Sequence, residues 1–258
     1  MEDDIWTAII QEAKQLKIQE PDLANFLQDT ISNRSSFGDA LASILANKVA
    51  VVGLSAPNLY GLFSKILTNN IKIKNEACDD LKACLERDAA CKYHLTPLLY
   101  FKGYQALQLQ RIANWLWNQK RQELALFLQG RMADVFSLDI HPGAQFGSGI
   151  MIDHATGVVI GETSVVGNNV SILHGVTLGG NSTSRSKRHP TIGDGVLISA
   201  GAKILGNVEV GDGAKIGAGS LVLHNVPPHV TIAGVPASVV GAPTHEHPAF
   251  LMNQRFDM

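Results

Sequence analysis

A histidine with a carboxylate in reach is a device for moving protons, and His154, with Asp139 fifteen residues before it, is a candidate pair of that kind. Imidazole titrates near working pH, so it suits removal of a proton from a weak hydroxyl nucleophile. A carboxylate on the other ring nitrogen fixes the tautomer and stabilises the imidazolium that develops. Asp153 stands directly before His154. Arg188 and His189 lie in a polar stretch, Asn181 to Thr191, where a guanidinium offers a planar fork for a carboxylate; a solvated loop charge is the plain alternative. His174 follows His154 by 20 residues. Histidines on neighbouring turns of a regular scaffold are one way to build a zinc site. Because His154 already has a carboxylate partner, no metal is expected, and His174 is left a secondary or packing role. Cys78, Cys84 and Cys91 match neither a CxxC pair nor a zinc knuckle. They are expected to fill core on a helix that Cys84 and Cys91 share, and no covalent intermediate on them is expected.

The elements that must position these groups change character near Ser137. Five of the 24 glycines precede it, and the rest follow. Before it, apolar residues recur three and four apart, which predicts helices over Glu2–Leu16, Pro21–Ile31, Phe37–Val49, Pro57–Leu67, Lys74–Cys91 and Leu98–Gln119. Ser36, Ser55 and Thr96 are placed as caps, and Trp115 and Trp117 as packing residues. After Ser137 the period is six: Ile140, Phe146, Ile152 and Val158, then, two residues out of step, Ile160, Val166, Ile172 and Leu178. Beyond the polar stretch it resumes through Ile192, Ile198, Ile204, Val210, Ile216 and Val222. One short strand and one corner fill six residues, so three units make a triangular coil, with coils stacked as parallel strands roughly 4.8 Å apart. His154 falls where the phase slips, which is where such a solenoid re-aims its side chains. Asp139, slightly less than one coil earlier, is expected to approach it from the coil below. The predicted class is α+β: a helical domain over 1–136, a β-helix over 137–241 with an insertion at 181–191, and a tail over 242–258.

Charges nearly balance, 21 basic against 23 acidic, so there is no electrostatic footprint for nucleic acid or an anionic membrane. No apolar run approaches the roughly 20 residues that span a bilayer, and Met-Glu-Asp-Asp is unlike a secretory signal. The expected location is cytoplasmic.

The segments Asp139-Ile-His-Pro142, Asp153-His-Ala-Thr-Gly157, Ile160-Gly-Glu-Thr163, Val176-Thr-Leu-Gly-Gly180, Arg188-His-Pro190 and Ala233-Gly-Val-Pro-Ala237 resemble bacterial serine acetyltransferases. These belong to the hexapeptide-repeat acyltransferases with a left-handed parallel β-helix. Arg87-Asp88 and Thr96-Pro-Leu-Leu-Tyr100 extend the likeness into the helical half, although this chain has Ala89 where the family has proline. The resemblance implies transfer of acetyl from acetyl-CoA to the serine hydroxyl, the first step of cysteine biosynthesis, with His154 as general base and Asp139 orienting it. It implies that Asp88, Asp153, Arg188 and His189 line the serine pocket, where cysteine competes as inhibitor. It also implies that Gly180, Ala200, Lys215 and Ala218 meet acetyl-CoA, that no metal takes part, and that trimers pair into a hexamer. Alternatives are a sugar or other hydroxyl acceptor, a metal-dependent hydratase, or a scaffold without chemistry. Family tails carry a terminal isoleucine that docks on cysteine synthase. This chain follows them through Met252-Asn-Gln-Arg-Phe256 and then reads Asp257-Met258, which weakens the expectation of that partner.

Overall fold

The computed structural model describes residues 2–183 and 185–255. Its first half is helical: α1 (Glu2–Gln19), α2 (Ala24–Leu27), α3 (Phe37–Val49), α4 (Ala56–Asn69), α5 (Ile71–Arg87), α6 (Leu95–Tyr100), α7 (Lys102–Asn118) and α8 (Gln122–Phe136). Ser36 caps α3 by accepting the Asp39 N–H at 3.2 Å, the bond expected of a serine in that place. Ser55 precedes α4 without a side-chain cap bond. Thr96 lies inside α6, with His94 at the N-cap position.

Three helix expectations are corrected. The Pro21–Ile31 run is a 3₁₀ turn (Pro21–Leu23), then α2, then a π turn (Gln28–Ser32). The Leu98–Gln119 run breaks at Phe101, whose extended backbone (φ −82°, ψ 104°) separates α6 from α7. Helix α5 stops at Arg87 because Asp88 is extended, so Cys91 is buried outside the helix that holds Cys84. Burial pushes all three thiols up, Cys78 to about 12.

From Asp139 the chain winds into a left-handed parallel β-helix. Its first face stacks β1 (Asp139–Ile140), β4 (Val159–Ile160), β7 (Thr177–Gly179), β10 (Lys203–Leu205) and β13 (Leu221–Val222). The second stacks β2 (Gln145–Phe146), β5 (Val165–Val166), β8 (Thr191–Ile192) and β11 (Glu209–Val210). On the third are β3 (Met151–Ile152), β6 (Ser171–Ile172), β9 (Leu197–Ile198), β12 (Lys215–Ile216) and β14 (Thr231–Gly234), closed by antiparallel β15 (Ala237–Gly241). Every period-six residue except Val158 lies on one of these strands. Val158 is buried at a corner. The phase slip has a local cause: six residues, 153–158, join β3 to β4, where four, 173–176, join β6 to β7.

The two halves are locked by a buried network. Arg111 on α7 pairs with fully buried Asp80 on α5 at 2.8 Å and donates to the Gly147 carbonyl at 2.7 Å, while Ile150 N–H donates to Asp80 at 2.8 Å. Each buried charge thus has charged and backbone partners, which such a group requires. Short helix α9 (Pro248–Leu251) folds back so that Ala249 N–H donates to the Gly195 carbonyl at 3.3 Å. Phe256 to Met258, the end of the tail considered above, lie outside the described residues.

Candidate active site

The corner between β3 and β4 carries the candidate base. His154 and Ala155 both adopt left-handed backbone, φ 55° and 64°, a conformation that costs non-glycine residues roughly 1–3 kcal/mol each when neighbours do not enforce it. The neighbours are identifiable. Gly157 N–H donates to the Ser137 carbonyl at 2.8 Å, Lys102 Nζ donates to Thr156 Oγ1, and Ala155 is fully buried beneath Gly103 at the start of α7. A Cβ on Gly103 would stand 2.0 Å from the Ile152 carbonyl oxygen, so only glycine lets α7 approach the strand that feeds the corner.

This packing leaves a cavity of about 370 Å³ lined by Asp88, Asp153 and His154, with Thr96, Tyr100 and Lys102 among its walls. His154 is 73% exposed, and its Nε2 is 3.6 Å from Asp153 Oδ2. Burial pushes the Asp153 carboxyl up and Asp88 adds to that, against the opposing pull of His154. Two carboxylates facing one cavity make it fit for an ammonium group. Asp88 is held by its Oδ1, which accepts the Ala90 N–H at 2.8 Å.

Asp139 lies at the same edge but not against the imidazole. Its N–H donates to the Val158 carbonyl at 2.9 Å, and its strand pairs with Val159. The first coil is therefore longer than the sequence suggests, and His154 closes the coil that Asp139 opens. The carboxylate of Asp139 accepts from Gln129 Nε2 on α8 at 2.6 Å, and no Asp139–His154 ion pair forms within this chain. The carboxylate beside His154 is Asp153.

Arg188 and His189 lie elsewhere. They stand at the edge between the first and second faces, where Arg188 Nη2 pairs with Glu162 at 2.6 Å. Thr163 N–H donates to His189 Nδ1 at 3.2 Å. The Arg188 guanidinium holds the Glu162 carboxyl below its usual range. Burial, helped by Arg188, lowers His189, which is 7% exposed. His141 is lowered by burial too; it accepts the Gly143 N–H and meets the edge of Trp117. Within one chain these groups do not line the cavity of His154. Glu162 sits within the quoted Ile160-Gly-Glu-Thr163 segment, so its charge beside Arg188 was the available signal. Gln129 and Lys102 carried none.

The residues expected at acetyl-CoA divide similarly. Thr156, His174, Ala200 and Ala218 follow one another along the edge between the third and first faces, linked by Gly175 N–H to Thr156, Gly201 N–H to His174 and Gly219 N–H to Ala200 carbonyls, each at 2.8–2.9 Å. Ala218 is exposed and Ala200 half-buried. The rings of His154 and His174 meet edge-on at 5.7 Å. Gly180 is at the other edge, where a Cβ would press on His189. Lys215 is only 2% exposed: it lies under the tail and donates to the Arg255 carbonyl. The sequence does not reveal that the tail folds over the third face and covers it.

Residues 5–109 match the family model described as serine acetyltransferase, N-terminal, and residues 189–224 match that of the bacterial transferase hexapeptide (six repeats). The chain is 50% identical over 253 residues to a serine acetyltransferase of Haemophilus influenzae, spanning 98% of this chain and 95% of that one. The structure superposes on the crystal structure of serine acetyltransferase from Vibrio cholerae with a TM-score of 0.98 and 47% identity, over 100% of both chains. A serine acetyltransferase solved as a complex with cysteine gives a TM-score of 0.97 and 50% identity, over 99% of this chain and 100% of that one. Among the described residues no helix is long and apolar enough to cross a membrane.

Proposed function

The chain belongs to the serine acetyltransferase family, and we propose that it acetylates serine by direct transfer from acetyl-CoA at the edge that carries His154. The readings as a sugar acetyltransferase, a hydratase or a scaffold are not favoured, because the likeness runs over almost the whole chain.

In this reading the serine ammonium lies between Asp88 and Asp153. His154 takes the hydroxyl proton as the serine oxygen attacks the thioester carbonyl. The tetrahedral intermediate then expels the CoA sulfur, and the imidazolium returns the proton to it, so the products are O-acetylserine and CoA thiol. Asp139 turns from Gln129 onto the imidazole when both substrates are bound and stabilises the transient charge. Catalytic hydrogen bonds are commonly completed only in the loaded enzyme. Pantetheine lies along Ala200 and Ala218, whose small side chains permit close approach to the backbone of the edge. Gly180 serves the other wall, and Lys215 is left out of the set.

Arg188 and His189 receive the serine carboxylate from a neighbouring copy. One prism edge bears the base and the acidic residues and another bears the arginine, so a ring of three copies joins each edge to its complement. Pairing of two such rings through the helical halves gives the hexamer. Cysteine, an isostere of serine, occupies the same pocket as an inhibitor; the cysteine complex of the relative supports this.

The observation that carries the proposal is the convergence of Asp88, Asp153 and His154 on one cavity. The test is release of CoA thiol by wild type and His154→Ala, with serine, homoserine, threonine and a galactoside as acceptors. A fall in kcat of about 10²–10⁴-fold is expected for the variant, with serine the preferred acceptor. Wild-type turnover in His154→Ala would remove the mechanism.

A further inference from the structure

Arg87, the last residue of α5, is 8% exposed, yet among the described residues no carboxylate pairs with it. A guanidinium in that position must be compensated otherwise. Its Nη1 donates to Ser171 Oγ at 3.1 Å and its Nη2 to Asn169 Oδ1 at 3.4 Å, while Nε has no partner. Its Cζ lies over the ring of Phe250 on α9, 4.8 Å from the centroid. Ser171 Oγ passes the contact on by donating to the Ala249 carbonyl at 3.0 Å. The tail therefore touches this arginine twice, once through an aromatic face and once through a shared hydroxyl.

The next residue is Asp88. We propose that Arg87 is a positioning residue: it ties Asp88 to the C-terminal segment, so that docking of α9 tightens the acceptor pocket. The inference rests on Asp88 binding the serine ammonium. With α9 in place, the guanidinium is fixed between β6 and Phe250, and the end of α5 is fixed with it. With α9 displaced, Arg87 loses its aromatic cover and the hydroxyl loses its second partner; water then competes for the guanidinium, and Asp88 loses its anchor. Burial already holds the Arg87 pKa down, at about 10, in keeping with a charge short of partners. Linkage requires the converse: bound serine must hold α9 down by the same factor that α9 tightens serine.

The experiment uses the full-length enzyme and four proteins: wild type, Phe250→Leu, Arg87→Lys and Asp88→Asn. Phe250→Leu keeps apolar cover but removes the aromatic face, and Arg87→Lys keeps the charge but loses the fork. Each is expected to raise the serine KM about three- to ten-fold, as loss of a partly buried cation–π contact implies, with kcat and acetyl-CoA KM within two-fold of wild type. Amide exchange is read at Ala249 to Leu251 with and without saturating serine. Serine slows it in wild type and does so less in Arg87→Lys. If Asp88→Asn raises the serine KM while Phe250→Leu leaves it within two-fold, or if Phe250→Leu raises the acetyl-CoA KM as much as the serine KM, the coupling is wrong and the pocket stands. If Asp88→Asn leaves serine KM unchanged, the pocket assignment falls and the coupling with it. Should Arg87→Lys fail to fold, Phe250→Leu alone decides.

Discussion

Gly103→Ala is the sharpest test of how the helical half holds the corner that carries His154. The new methyl would lie 2.0 Å from the Ile152 carbonyl oxygen and 3.0 Å from Ala155 Cβ, and Cβ contacts under 3.0 Å are essentially never found. The two backbones must therefore part by about 1 Å before packing is even tolerable. Helix α7 has little room to retreat, because Tyr104, Ala106 and Leu107 beyond Gly103 are buried. The strand has little either, since Asp153 N–H is bonded to the Ile172 carbonyl at 2.8 Å. The strained turn at His154 and Ala155 has to absorb the shift. Misplacement of a catalytic group by 1 Å costs on the order of 10²-fold in rate, so kcat should fall about 100-fold. Overpacking should cost about 1–3 kcal/mol, or roughly 3–10 °C in Tm for a chain of this size. Gly61→Ala and Gly130→Ala are the controls: both lie within helices, with nothing within 4 Å of the added Cβ. They should leave kcat unchanged and stabilise by up to about 1 kcal/mol. Thiol-release kinetics and thermal unfolding read both effects. Wild-type kcat in Gly103→Ala would show that the helix does not set the position of His154.

Arg111→Met leaves Asp80 buried without its cation and should cost about 3–5 kcal/mol; urea unfolding at fixed protein concentration measures it, and a loss under 1 kcal/mol would contradict the network. Burial lowers His141 from its ordinary value near 6.5. The unfolded chain therefore binds its proton first as pH falls, and this contribution to stability is full above that value and declines below it. Unfolding from roughly pH 5 to 7.5 should show a shallower acid loss in His141→Gln, provided the replacement keeps the Gly143 contact; an unchanged slope would dismiss the histidine as a cause.

The β-helix was legible because its inward residues obey a rigid period, so Ile140, Ile172 or Ile216 needed no tertiary information. Even the slip at Val158 located an enlarged corner. Helix ends were legible where a local signal existed, as at Ser36, and not where tertiary packing decided. Phe101 interrupts an apolar run that looks continuous, and no local capping or turn residue in the sequence marks the break. Helix α8, which supplies Gln129, was not among the expected elements. The motif around His154 pointed to a corner that lies beside a cavity, but which carboxylate lies against the imidazole depends on a coil length that the sequence disguises. Lys215 was misplaced for a related reason: a residue's pattern says which face it occupies, not what later folds across that face.

The separation of Arg188 from His154 carries one more consequence. Both sit on a rigid prism but at different edges, and no rotation of side chains brings one edge to another. If each site takes its base from one copy and its arginine from the next, two inactive variants should repair each other. In His154→Ala the arginine edge is intact; in Arg188→Met the base edge is intact. Random mixing of equal amounts places an intact pair at about a quarter of the interfaces, since each half is present with a chance of one in two. Co-expressed variants, purified through different tags, should thus recover about a quarter of wild-type turnover per site. Variants purified apart and combined without exchange of copies should show only the sum of their residual rates. Recovery no greater than that sum would remove the shared site, and Arg188 would then have no part in binding the serine carboxylate.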